Sequence, residues 1–423
     1  MAVDPPVSAH AAGRLHAAGL GLQGQVPGIL MAAEGERIGA IAAGDYHSLA
    51  VTDDGRLLVS GLDDYAQVTG IFAAARGELV GAVAAGGFHS LAVTRDGRLL
   101  AAGKDQNGQV TGARDAARGK KVTAVDGGAV HSLAVTEDGE LLAAGHDGDG
   151  QVSGVLTAAR GHRVTAVAAG DFHSLAVTED GRILAAGRDD DRQVSGILAA
   201  ADGRKVVAVS AAALQSLAVT DDGLLLAAGR DGHHQVSGIL RLAQGRRIAA
   251  AAAGHLHSLA LTRDGELLGA GKDGDGQVSG ILEAVGHDHT VRIAAGGYHS
   301  LAVVAPDGPR GRVIRAEFHA ADTVGRDVTL WLLRREDNLD VALTSHQPAQ
   351  DFGIREGVPV TLEIRRGGDE VLGDGTVFFS YDETTRTVGV DTRASRFPSR
   401  LACTGHGANH FTFTFASTGE GTG

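Results

Sequence analysis

A short phrase, HSLAVT or a close variant, returns at a fixed interval along this chain and constrains its fold more than any other feature. Its first residue falls at His47, His89, His131, His173, Gln215, His257 and His299, each 42 residues after the one before. A second phrase, Gln-Val followed by Thr, Ser or Pro and then Gly, starts at Gln25, Gln67, Gln109, Gln151, Gln193, Gln235 and Gln277, again every 42 residues. Seven copies at one period define a repeat architecture. Within one unit, RVTAVAAG from Arg163 reads as a strand, DFHSLAVTED as a turn and second strand, and GRILAAG as a third. RDDDRQVSGIL reads as a turn and a short fourth strand. β-formers between Asp-Gly turns, with no apolar spacing near 3.6, exclude a helical solenoid. Four short strands every 40 or so residues predict a propeller blade.

The phase of the two phrases predicts how the ring closes. The chain begins with a Gln-Val phrase at Gln25 and ends its repeats with an HSLA phrase at His299. LHAAGLGLQGQVPG, from Leu15, aligns with LLAAGHDGDGQVSG from Leu141 and LLGAGKDGDGQVSG from Leu267. The N-terminal segment is therefore expected to supply the outer strands of the last blade, which removes two exposed sheet edges. The expected fold is all-β: a seven-bladed β-propeller of 42-residue repeats over residues 13–308, closed by N-terminal strands. From Arg312 the period stops. RVIRAEFHA, DVTLWLLRR, PVTLEIRR, TVFFSYD, RTVGVDT and HFTFTFAS alternate apolar and polar residues, which predicts a small β-sandwich or barrel over 312–418.

"AAGGFHSLAVTRDGRLLAAGKDQNGQVTG", from Ala84 to Gly112, resembles the repeat of the regulator of chromosome condensation family, and the resemblance extends over all seven copies from Leu15 to Val304. It departs from the family pattern at the tryptophan position, which here holds Ala18, Ser60, Ala102, Ala144, Ala186, Ala228 and Ala270. Gln-Leu-Gly has become Gln-Val-x-Gly, and the short unit leaves little room for the insertions by which the eukaryotic member engages a small GTPase. The family includes exchange factors, photoreceptors and adaptor propellers, so the resemblance implies a fold and not one function. Without the tryptophans a photoreceptor is untenable.

Composition removes several function classes. A formal net charge of −13 argues against holding nucleic acid through its phosphates. One cysteine, Cys403, excludes a disulfide framework and thiolate metal clusters. No apolar run approaches a membrane span. The opening MAVDPPVSAHAAGRLHAAG lacks the pattern of a signal peptide, so the expected location is cytoplasmic. Five lysines among 38 basic residues, with the Ala and Gly load, suggest a GC-rich bacterial origin.

In a meander of short strands, the GxxHS corners and the xDGDG turns share one face. The T-x-D-G turns share the other with the basic loops, and opposite charges recur there from unit to unit, as on a solvated, self-compensating surface. Identical residues at identical positions are structural more often than functional. His47, His89, His131, His173 and His299 are therefore read as corner histidines that tie a turn to neighbouring backbone. Asp147 with Asp149, Asp273 with Asp275, and Asp189 with Asp191 invite a calcium reading but lack its glutamate, and read as turn formers. Cys403, His406 and His410 are one thiol short of a zinc site. No metal or cofactor is expected.

Function is better sought where the symmetry breaks. The residue two before the HSLA position reads Asp45, Gly87, Ala129, Asp171, Ala213, His255 and Gly297, and the next reads Tyr46, Phe88, Val130, Phe172, Leu214, Leu256 and Tyr298. The fifth copy replaces histidine by Gln215 and carries His233 and His234 in the following turn; the sixth carries His255 beside His257. The candidate binding residues are Asp45, Tyr46, Asp171, Gln215, His233, His234, His255 and His257, centred on blades five and six. Drift among duplicated units is the competing and simpler explanation. The absence of a nucleophile elbow, P-loop, HExxH or dinucleotide fingerprint favours an interaction module that presents this face to a protein or small-molecule ligand. The alternatives are an enzyme using Asp45, Asp171, His233, His234 and His255, and a multivalent carbohydrate-binding propeller, against which the scarcity of Trp and Tyr counts. The oligomeric state is open.

Overall fold

The computed structural model describes residues 13–286 and 288–305 in full, together with the backbone of ten strands between 313 and 417. The chain divides into two compact units, Met1–Pro306 and Asp307–Gly423. In the second, strands 313–315, 330–335, 338–343, 359–366, 370–382 and 387–391 form one sheet in that order, with two further two-stranded ladders. The expected sandwich or barrel, and the side chains of Cys403, His406 and His410, lie outside the described residues.

The first unit is a seven-bladed β-propeller of three-stranded antiparallel blades. Blade one has an inner strand Ile38–Ala43, a middle strand His47–Thr52 and an outer strand Leu57–Gly61. The same triplet recurs through blade six, which ends with Leu267–Gly271. Blade seven takes its inner and middle strands from Thr290–Ala295 and His299–Val304, and its outer strand from the N-terminus. Arg14–Gly19 pairs antiparallel with His299–Val304, Gly19 standing opposite His299. The closure read from the phase of the repeats is the one observed.

The expected fourth strand is instead a helix of six or seven residues, as in Ser153–Ala158 and Ser237–Ala243. Val-Ser-Gly-Ile-Leu has strand-like composition, but side chains before it hold the backbone helical. Asp147 Oδ1 accepts the amides of Val152 and Ser153, both at 2.9 Å, and Gln151 Oε1 accepts that of Asp149 at 3.0 Å. The same bonds recur at Asp105, Asp189, Asp231 and Asp273. Asp and Gln thus recur to stop the outer strand and start a helix.

Each helix packs on the outer strand of the next blade, and this explains the missing tryptophans. A Cβ placed on Gly154 would lie 2.9 Å from Ala186 Cβ, and one on Gly112 3.1 Å from Ala144 Cβ. Where a glycine meets an alanine this closely, an indole has no room. In six of the seven helices an apolar residue, such as Val155, Ile197 or Ile239, is fully buried; in Thr111–Ala116 its place is taken by Ala113. The core lies between successive blades: Leu91 and Val93 of blade two pack with Val122, Val125 and Leu142 of blade three.

The middle strands are buried along their whole length, including their histidines. Each histidine crosses to the next blade. His47 Nε2 meets Ser90 Oγ at 2.9 Å, His89 meets Ser132 at 2.8 Å, and His131 meets Ser174 at 2.8 Å. His173 meets Ser216, His257 meets Ser300, and His299 meets Ser48 to complete the ring. Ser48, Ser90 and Ser132 each donate their hydroxyl hydrogen to a backbone carbonyl, so at those sites Nε2–H of the histidine is the donor. The tie is therefore to a neighbouring blade's serine, not to the histidine's own turn.

Candidate functional site

The inner strands of all seven blades line a central channel of about 110 Å³, walled mostly by alanine and glycine. At its mouth on the GxxHS face, three corner residues meet from blades one, four and six. His255 Nε2 lies 2.9 Å from Asp45 Oδ1 and 3.5 Å from Asp171 Oδ1. All three are mostly buried, with side-chain exposures of 20%, 17% and 25%. Burial alone would lower the pKa of His255, but hydrogen bonds and charge from Asp171 and Asp45 prevail and raise it to about 11. Asp171 is held below the usual carboxylate range: burial opposes its charge, but the bond to His255 and the amide of Ala213 prevail. Both carboxylates face the same Nε2, and their charge favours a protonated, hydrogen-bond-donating His255 at neutral pH.

Aromatic residues continue from the cluster. His255 lies edge-on to Tyr298 with ring centroids 5.8 Å apart, and Tyr298 stacks on Tyr46 at 5.4 Å. Tyr46 meets Phe88 at 6.2 Å, and Phe88 meets Tyr65 at 5.7 Å. Lys104 Nζ lies 5.3 Å from the Tyr65 ring centre and 5.5 Å from that of Phe88. Burial, with a hydrogen bond to Tyr298, raises the Tyr46 phenol to about 12.

Asp45, Tyr46, Asp171 and His255 are thus brought together, and other candidates are not. Gln215 is fully buried in the inter-blade ring, where its Nε2 donates to Gly254 O at 2.7 Å and His257 O at 2.8 Å. Its Oε1 accepts from Ser258 at 3.1 Å. His257 is a ring histidine like the others. His233 and His234 sit exposed in the turn before helix Ser237–Ala243, away from the channel lining. The centre of the site therefore moves from blades five and six to the axis. Blade five contributes to the mouth through the Ala213 amide.

The glycine lost from blade five explains its glutamine. In other copies the residue three before the histidine is glycine because the imidazole and the next blade's carbonyl both crowd it; a Cβ on Gly128 would lie 2.6 Å from His131 Cε1 and 2.2 Å from Gly170 O. With Gln215 in place of the ring, Ala212 fits and the inner strand extends to pair Ala212 with Gln215. The two departures are one compensated change.

Three channel residues were overlooked in the sequence. Asp126 and Ser210 stand five before the HSLA position and Arg292 seven before, where the other copies have alanine. Asp126 Oδ2 accepts the Ala169 amide at 2.9 Å, and Ser210 Oγ accepts that of Ala253 at 3.0 Å. The same search for broken symmetry, extended into the inner strand, finds all three. On the opposite face Arg56 pairs with Glu36, Lys120 with Glu140 and Lys121 with Glu137, a self-compensating surface.

A seven-bladed propeller of GxxHS repeats with a charge-locked axial mouth defines the class. The chain carries repeats of one known family: the Regulator of chromosome condensation (RCC1) repeat matches residues 40–67, 82–109, 122–151, 164–193 and 248–277. Blade five, with Gln215, and the composite blade seven are not among the matched segments. Among solved structures, human WBSCR16 is similar at 19% identity and a TM-score of 0.58, over 70% of this chain and 99% of that one. Prp20p from Saccharomyces cerevisiae, whose structure was described with its binding to Gsp1p and histones, is similar at 18% identity and a TM-score of 0.58, over 70% and 92%. These likenesses concern the fold. No curated protein sequence matches the chain. Among the described residues no helix is long and apolar enough to cross a membrane.

Proposed function

We propose that this protein is a non-catalytic binding propeller whose GxxHS face, at the channel mouth, receives a partner protein. The observation that carries this reading is the convergence of the symmetry-breaking residues Asp45, Asp171, His255, Tyr46 and Tyr298 on one ring-lined place, while the opposite face pairs its own charges. Tyrosine is among the residue types enriched at the energetic centre of protein interfaces. The enzyme alternative is disfavoured as a base mechanism, since Asp45 and Asp171 both face His255 Nε2 and raise its pKa. The carbohydrate alternative needs like sites on all blades, and at this corner rings occupy only blades seven, one, two and four, the other three having Val130, Leu214 and Leu256.

Placing a photo-crosslinking benzoylphenylalanine at Tyr65, and separately at Glu137 on the opposite face, tests this in the cells that make the protein. Discrete protein adducts are expected from position 65 and none from position 137. Adducts from 137 alone, or from neither position, would contradict the proposal.

A further inference from the structure

The propeller's net charge is not spread over its surface. Between residues 13 and 305 the GxxHS corners, the turns after the outer strands and the channel carry 14 acidic and 6 basic side chains, counting Lys and Arg. The helices and the opposite face carry 19 of each. The whole excess of negative charge therefore lies on the face that also holds the aromatic run.

That run is directional. It passes from His255 on blade six through Tyr298 and Tyr46 to Phe88 and Tyr65, and Tyr65 at its outer end is 42% exposed. Followed from ring centre to ring centre around the mouth, its path is about 23 Å, which engages several residues of a peptide rather than one cation. Ring faces in an acidic setting attract cations, and Lys104 already lies over Tyr65 and Phe88. Taking the GxxHS face as the binding face, as above, we propose that its partner presents an extended, arginine- or lysine-rich polypeptide segment along this run, with cationic side chains over the rings and among the turn carboxylates. The length of the run selects a peptide over a small cation, and the charge imbalance selects a basic one.

Titration of the full-length protein with fluorescein-labelled octa-arginine in about 150 mM salt, a concentration that screens charges beyond roughly 8 Å, tests this directly. Saturable binding of one peptide per chain is expected. Tyr65→Ala and Tyr46→Leu should each weaken it at least about fivefold, and Asp64→Lys about tenfold, whereas Glu137→Lys on the opposite face should leave it unchanged. Tyr65 and Asp64 are exposed, so these variants should keep the wild-type circular dichroism and melting curve. No binding at this salt, aromatic variants that bind like wild type, or equal competition by spermine at matched charge would each overturn the proposal. If octa-arginine fails while the adduct at position 65 persists, the binding face stands without a basic partner. Loss of both removes the binding face itself.

Discussion

Lowering the pH from 7 to 5 is expected to unfold the propeller, or to remove most of its stability, through its inter-blade histidines. His47, His131 and His299 are depressed to about 3, and His89, His173 and His257 to about 4. Burial is the main cause, and each Nδ1 lacks a partner that could accept a second proton's hydrogen bond. An unfolded histidine titrates near 6.5, so between about pH 6.5 and 4 the unfolded chain binds protons that the folded ring refuses. Stability therefore falls as pH falls through that window, by up to about 1.4 kcal/mol per group per pH unit. Six groups acting together reach roughly 8 kcal/mol per unit, against a total of about 5–15 kcal/mol for a typical domain. The mouth cluster opposes this only in part: the contribution of His255 is fully present below pH 6.5 and is lost only as pH rises toward about 11. Urea unfolding followed by circular dichroism at several pH values would show the decline. Blade five supplies the comparison, since Gln215 links to the equivalent serine, Ser258, as an acceptor and without a titrating group. His89→Gln should keep the fold at pH 7 and reduce the pH slope by about one group's share; an unchanged slope would mean that the ring does not set the acid limit.

The second large effect concerns Ala212 and Gln215. Restoring the repeat's histidine with Gln215→His places an imidazole against the Ala212 methyl, in the space that the other six blades keep clear with glycine. The variant should lose about 1–3 kcal/mol, the range for overpacking a rigid core. It also exchanges three hydrogen bonds for one. Ala212→Gly alone should be mildly destabilising, because glycine in a strand costs entropy. The double substitution should recover at least about 1 kcal/mol of the loss, a coupling within the range for residues in direct contact. Additive single effects would show that the two departures arose independently.

The division between what the residues reveal in order and what only the fold reveals is clear at these positions. The period of 42 and the leading Gln25 phrase specify seven blades and their closure, because both are counts along the chain. The helix at Ser153–Ala158 is hidden because Val-Ser-Gly-Val-Leu has strand composition. Its helical form depends on Asp147 reaching forward to two amides and on Gly154 meeting Ala186 of another blade. Asp45, Asp171 and His255 are visible as exceptions at one repeat position. That blades one, four and six meet at the axis is not visible, since neighbours in sequence are neighbours around the ring and not across it. Proximity in the chain therefore drew Gln215, His233 and His234 into the candidate site, although Gln215 seals an interface and the other two face solvent.

Histidine nitrogen resonances in the isotope-labelled protein separate a fixed charge-locked mouth and a structural ring from a titrating catalytic histidine. At about pH 8, well above the 6.5 of a free imidazole, His255 should give the signature of a doubly protonated imidazolium that disappears when Asp45→Asn and Asp171→Asn are combined. The six ring histidines should remain singly protonated for as long as the fold survives acidification, with Nε2 carrying the hydrogen at His47, His89 and His299. A His255 that titrates near pH 6.5, or ring histidines that take up a proton without unfolding, would contradict both the locked mouth and the structural ring.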